Sequence, residues 1–126
     1  MATTELIQAT FEKTITDNKI VMIDFWAPWC GPCRSFAPLY EEISEKYPNI
    51  VFAKVNTEEE KDLAGQFQIR SIPTLMIFKE QIIIFSQAGA LPKTALEDVI
   101  KKAQELDMDT VRQEMAEQAK SEQATA

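Results

Sequence analysis

The sequence predicts an α/β domain in which a mixed sheet is covered by helices on both faces. Three observations predict it. The run from Ile20 to Ala27 is apolar at alternate positions on both sides, as a central strand under two helical layers must be. A strand–helix–strand order opens the chain, with an amphipathic stretch between Ile20–Ala27 and a second apolar run, Val51 to Asn56. Finally, two short apolar runs, 74–78 and 82–85, are separated by so few residues that they read as an antiparallel hairpin.

The elements follow in order. Phe11 and Ile15 mark a first helix. After the central strand, the Pro28 to Pro32 stretch breaks the run. Phe36, Leu39, Tyr40, Ile43 and Tyr47 then recur at helical spacing, with Pro38 inside that helix and expected to kink it. Beyond the strand at 51–56 come the acidic Glu58-Glu59-Glu60 and a short helical stretch, Leu63 to Phe67. The hairpin turn Lys79-Glu80-Gln81 lacks the glycine or asparagine that such turns favour. Leu96, Val99, Ile100 and Ala103 mark a closing helix.

From Asp107 the character changes. The last 20 residues carry five acids and two bases, and their few apolar residues (Met108, Val111, Met115, Ala119) form only a narrow helical stripe. Two readings stand: a solvated tail, or an accessory helix that docks on the domain or on a partner. Thr110 and Gln113 have capping-box spacing. The organisation expected is thus one domain over residues 1–106 with an acidic extension over 107–126, helical or disordered.

Composition excludes several chemistries. The 126 residues carry a net charge of −7, which disfavours binding to a phosphate backbone or an anionic membrane surface. There is no histidine, which removes Cys–His and Ser–His nucleophilic catalysis. Two cysteines are half the ligands of a structural zinc site, so zinc would require a dimer that pools them. The N-terminus has neither the basic start nor the apolar run of a secretory signal, and no apolar run is long enough to span a bilayer. The default expectation is a cytoplasmic monomer, and in a reducing compartment a close cysteine pair is catalytic more often than structural.

Trp29-Cys30-Gly31-Pro32-Cys33 lies where the central strand ends and the long helix begins. Unpaired amides and the macrodipole at a helix N-terminus favour negative charge, which lowers a thiol's pKa below its ordinary value of about 8.5. Cys30, in the first turn and nearer solvent, is the expected nucleophile, and Cys33, one turn on, the expected resolving thiol. Pro32 is pre-set for a first helical turn. The uncharged Gly31-Pro32 spacer stabilises the thiolate only modestly, which tunes the pair towards reduction. The alternative is a purely structural disulfide.

Asp24 stands inside the apolar strand, six positions before Cys30. Burial there raises its pKa or demands a cation, and a buried acid titrating near neutrality suits the proton of the resolving thiol. The alternative is a tolerated acid at a strand end. Lys54, on the strand expected alongside, is either a modulator of Asp24 or a solvated lysine. Ile72-Pro73 opens the first hairpin strand, and an X–Pro bond is where a cis peptide is accessible.

With these segments together, the chain resembles the thioredoxin family over nearly all of residues 3–106. The resemblance is carried by Asp24-Phe25-Trp26-Ala27-Pro28-Trp29-Cys30-Gly31-Pro32-Cys33, Ala53-Lys54-Val55-Asn56, Ile72-Pro73-Thr74 and Gly89-Ala90-Leu91. It implies the thioredoxin fold, with four or five strands and about four helices, and a protein-disulfide reductase acting by thiol–disulfide exchange. It implies that Pro73 is cis and faces the cysteines, that the Ile72 backbone pairs with an extended client chain, and that Trp29, Ile72, Gly89 and Ala90 form an apolar docking surface. It also implies no bound cofactor. Recharging would come from an NADPH-dependent flavin enzyme, thioredoxin reductase, and the clients would be disulfide-containing proteins. Departures from the family pattern are Arg34 after the second cysteine where lysine is common, Ser71 where glycine is frequent, and the tail. Competing readings are an oxidase or isomerase, which the Gly-Pro spacer disfavours, and a holdase-like binding module working through its surface and tail.

Overall fold

The computed structural model describes residues 2–125, with side chains described for residues 2–122. The chain runs β1 (Thr3–Glu5), α1 (Gln8–Asp17), β2 (Ile20–Trp26), α2 (Gly31–Lys46), β3 (Val51–Asn56), α3 (Lys61–Gln66), β4 (Thr74–Lys79), β5 (Ile82–Ala88), α4 (Lys93–Glu105) and α5 (Met108–Thr125). The strands form one mixed sheet in the order β1-β3-β2-β4-β5. β1 and β2 run parallel to β3, while β2–β4 and β4–β5 are antiparallel.

Alternation along the strands divides the core in two. Ile20, Met22, Phe52, Leu75 and Ile77 point to one face, where they meet Phe36, Tyr40 and Ile43 of α2 and Leu96 and Ile100 of α4. Val21, Ile23, Phe25, Ala53, Val55, Met76 and Phe78 point to the other, against Phe11 and Ile15 of α1 and Leu63 of α3. The apolar character of β2 on both sides therefore has the expected cause. On the α2 side the Tyr40 hydroxyl is fully buried and donates towards the carbonyls of Met22 and Ala53, at 3.1 and 2.8 Å. This polar clamp holds α2 to the two central parallel strands.

Three local features differ from the sequence reading. β1 escaped it, because three residues, two of them threonines, show no hydrophobic period; the strand is recruited by pairing of Thr3–Glu5 with Phe52–Lys54. The hairpin does form, and Glu80 and Gln81 both take left-handed backbone angles, φ 50° and 71°. Neither is the glycine or asparagine that such angles favour. The turn is held from outside instead: the Glu80 amide donates to Lys19 at 2.8 Å, and Arg112 pairs with the Glu80 carboxylate at 2.9 Å. Third, the tail's helix is capped one turn earlier than Thr110. The Asp107 carboxylate accepts from the Asp109 amide and the Thr110 hydroxyl, at 3.1 and 2.9 Å. An acceptor immediately before the first helical residue serves the orphan amides better than one inside the turn.

The start of α5 is tied to the domain by Lys79. This side chain is buried, and its ammonium donates to the carbonyls of Ala103, Gln104 and Leu106 at 2.8, 3.0 and 2.8 Å. It thus satisfies carbonyls at the end of α4 that the helix itself leaves unpaired. Burial lowers its pKa, and the three acceptors offset that cost. Met108 is buried beside this junction, whereas Met115 is half exposed. Lys79→Met keeps the apolar stem but strands three carbonyls, and is expected to cost about 2–3 kcal/mol in urea denaturation; a loss below about 0.5 kcal/mol would show the ammonium contributes nothing.

Candidate functional site

Two residues past the end of β2 the chain turns, with the Cys30 amide donating to Ala27 at 3.1 Å, and α2 begins. Cys30 is the N-cap of α2, one position earlier than the first turn in which the sequence placed it. Its sulfur accepts from the Cys33 amide at 3.2 Å. A sulfur in the cap position thus replaces the oxygen of the usual serine or aspartate, and the orphan amide is aimed at an atom whose anionic form it would favour. Pro32 in the first turn lacks only an N–H that the helix does not need there. The helix continues through Pro38 to Lys46.

Cys30 and Cys33 form a disulfide across 5.2 Å between their Cα atoms. Both are buried, at 4% and 2% exposure, so Cys30 is only marginally nearer solvent than its partner. They pack with Ala27, Trp26 and Ile72. The Ile72–Pro73 bond is cis, and the Ile72 carbonyl oxygen lies 3.8 Å from the Cys30 sulfur. The Pro73 carbonyl accepts from the Gly89 amide at 2.7 Å, and Gly89 has φ +99°, a conformation that favours glycine. One hydrogen bond therefore brings the Gly89-Ala90 segment beside the Ile72-Pro73 loop. Trp29 stands at the rim with 64% of its surface exposed, and its indole N–H donates to Glu58 at 2.5 Å. Glu58 gave no functional signal in the sequence beyond its place in an acidic run.

Arg34 donates to the Pro28 carbonyl at 2.8 Å and so braces the turn between β2 and α2. Ser71, the other departure at the site, is exposed, and its carbonyl accepts from the Thr74 hydroxyl at 2.6 Å.

Asp24 is fully buried on the α2-facing side of β2, two residues before Trp26 and on the same face. Neither carboxylate oxygen meets a hydrogen-bond donor among the described residues. Burial pushes its pKa up to about 7, against the opposing pull of Lys54 and with a smaller push from Glu5. Lys54 is paired with Asp24 in the β2–β3 register, is half-buried, and holds its ammonium 4.5 Å from the centre of the Trp26 ring. It is a partly desolvated cation facing a buried acid, not a freely solvated lysine.

Trp26 links the sequence-selected segments: it packs with Ile72 against the cysteines at the head of α2, and its ring carries the ammonium of Lys54 of β3, the register partner of Asp24 of β2. Among the described residues no cluster of three or more His, Cys, Asp or Glu is placed to hold a metal, and no helix is long and apolar enough to cross a membrane.

Two sulfurs that form and break one bond at a helix cap carry two electrons at a time. The chain is a dithiol–disulfide oxidoreductase whose redox group is its own cysteine pair. Comparison with known proteins gives the same answer. The family model "Thioredoxin" matches residues 2–102. The chain is 56% identical to a protein named as a thioredoxin 2 in Streptomyces coelicolor, over 93% of this chain and 87% of that one. It is 49% identical to thioredoxin 1 of Synechococcus elongatus, over 75% and 90%. Among solved structures, a mutant thioredoxin from Halobacterium salinarum superposes with a TM-score of 0.77 at 30% identity, covering 83% of this chain and 93% of that one. A Plasmodium falciparum thioredoxin gives 0.74 at 37%, covering 79% and 97%. The chain belongs to the thioredoxin family.

The raised Asp24 value has a sign that stability reads directly. A folded-state pKa of about 7 against an ordinary 3.8 means that the native state holds this proton where the unfolded state has lost it. The stabilisation is complete below about pH 4 and is lost as pH rises through 7. Asp24→Asn, which stays neutral, is therefore expected to gain roughly 2–4 kcal/mol over the parent at pH 8.5 and far less at pH 4. Guanidinium denaturation of the oxidised protein at the two pH values checks this; equal differences at both would exclude a raised Asp24.

Proposed function

We propose that the chain works as a general protein-disulfide reductase, with Cys30 attacking and Cys33 resolving. The observation that carries this reading is the Cys33 amide directed at the Cys30 sulfur, which favours the thiolate on that cysteine and not on its partner. In the reduced protein the Cys30 thiolate attacks one sulfur of a client disulfide, and the other client sulfur leaves as a thiolate that takes a proton from solvent. Asp24, as carboxylate, accepts the Cys33 proton. The Cys33 thiolate then attacks the Cys30 sulfur, the Cys30–client bond breaks, and the second client thiolate leaves and is protonated. Two electrons have passed to the client, and the protein holds the Cys30–Cys33 disulfide.

Gly31 and Pro32 keep the spacer short, rigid and uncharged, so nothing beyond the helix end stabilises the thiolate. That supports a reductant over an oxidant. The Ile72 carbonyl beside the Cys30 sulfur, with Trp29, Pro73, Gly89 and Ala90 around it, suits backbone pairing with an extended client and makes few demands on client side chains. Lys54 moderates Asp24. Family membership implies a thioredoxin reductase and disulfide-bearing substrates as partner classes. We assign the recharging step to an NADPH-dependent flavin reductase and the location to the cytoplasm, where clients can be kept reduced. Residues 1–106 form the redox domain in this reading, and 107–126 an appended segment.

The test is insulin reduction with NADPH and a thioredoxin reductase. Cys30→Ser is expected to abolish turnover, and Cys33→Ser to accumulate a mixed disulfide through Cys30 that mass spectrometry detects. Accumulation through Cys33 in Cys30→Ser would reverse the roles, and a redox titration against glutathione in which the pair stayed reduced even in strongly oxidising buffers would overturn the reductant reading.

A further inference from the structure

The sheet register aligns three charged residues in one row. Glu5 of β1 is opposite Lys54 of β3, and Lys54 is opposite Asp24 of β2. All three lie on the α2-facing side, since Thr3 and Glu5 share the faces of Phe52 and Lys54 in a parallel pair. Exposure falls along the row: Glu5 is exposed on the edge strand, Lys54 is half-buried, and Asp24 is sealed. The outer end opens on a recess of about 320 Å³ lined by Glu5, Trp26, Asn56, Glu59 and Glu60. There the buried indole N–H of Trp26 meets no acceptor among the described residues.

From this arrangement we infer that Glu5 is a positioning residue for the disulfide chemistry: as the second acid set across the register from Lys54, it competes with Asp24 for the pull of that one cation. The inference rests on Asp24 as the proton acceptor for Cys33 only in its kinetic consequence; the electrostatic sharing stands on the register.

The reason is the division of one cation between two acids. Lys54 opposes desolvation at Asp24, and its pull is weakened by every other anion it faces. Glu5 is the anion across from Lys54 in the register; on balance its own pKa is raised, by burial first, with Lys54 pulling it down and Glu59 pushing it up. The remaining groups around Asp24 do not substitute for it. From α2, the Tyr40 hydroxyl is held between two backbone carbonyls, and Glu41 accepts from the Thr3 hydroxyl. From the loop after β3, Glu59 accepts from the Asn56 amide at 2.9 Å. From β4, Asp24 faces only Leu75. The head of α2 brings no charged side chain to this cluster: Cys30 and Cys33 pack with Ala27, Trp26 and Ile72.

The experiment follows the Asp24 side-chain carboxyl by carbon NMR titration of the oxidised full chain. Glu5→Gln is expected to move its midpoint about half a unit towards acid, and Glu5→Asp, which keeps the charge, to leave it within about 0.2 unit. Because Glu5 is exposed, 1 M salt should remove most of the Glu5→Gln shift. An unmoved Asp24 midpoint in Glu5→Gln overturns the inference, as does an equal shift in Glu5→Asp, which would mean packing and not charge is responsible. The pH profile of insulin reduction is read alongside. Its midpoint should move with the NMR midpoint in Glu5→Gln and vanish in Asp24→Asn. A profile unchanged by Asp24→Asn would remove Asp24 from the mechanism, and the NMR titration would still decide the role of Glu5.

Discussion

A helix that begins on a cysteine leaves its first amides without partners, and in this chain the Cys33 amide is directed at the Cys30 sulfur. Most of the structure can be read as support for that contact. β2 delivers Cys30 to the head of α2 through a short turn braced by the Arg34 guanidinium. Tyr40 anchors α2 to β2 and β3 on the sheet face that also carries Asp24. The cis Ile72–Pro73 loop brings a backbone carbonyl to 3.8 Å from the same sulfur. Reactivity comes from placing a polarisable anion where the backbone already supplies positive potential, with no histidine needed.

The buried acid costs the fold stability when it ionises. Asp24 has no hydrogen-bond donor among the described residues, and its proton is held to about pH 7 by burial. In the proposed mechanism, a stronger cation contact would stabilise the carboxylate and remove its usefulness as a base near neutrality. Lys54 therefore stands across the register and over the Trp26 ring instead of closing an ion pair. Elsewhere β2, β3 and β4 are packed mainly with branched and aromatic side chains on both faces.

At the opposite end of the sheet, Lys79 shows how a buried charge serves structure alone. Three backbone carbonyls surround its ammonium, so α4, the hairpin and the start of α5 are joined by one side chain. Arg112 adds a second tie through Glu80, at the turn whose backbone angles are left-handed without glycine. Beyond Val111 the described side chains of α5 are exposed, which matches a stripe too narrow to bury a helix.

The sequence alone determined the central strand, the three main helices, the redox pair, and the buried acid, because each is a strong local signal: an unbroken apolar run, a helical period, a two-residue spacer, a charge where none belongs. Tertiary structure decided what has no local signature. β1 exists only because β3 offers it an edge, and Asp107 rather than Thr110 caps the last helix because its carboxylate stands just outside the first turn. Lys79 and Glu5 look like ordinary surface charges in the sequence. One is buried by carbonyls contributed from residues 103–106, and the other is set in a row by strand register. The pair at 30 and 33 could be read from spacing; the amide, the carbonyl and the charges that condition it come from residues remote in the chain, and only packing brings them within the few ångströms over which such forces act.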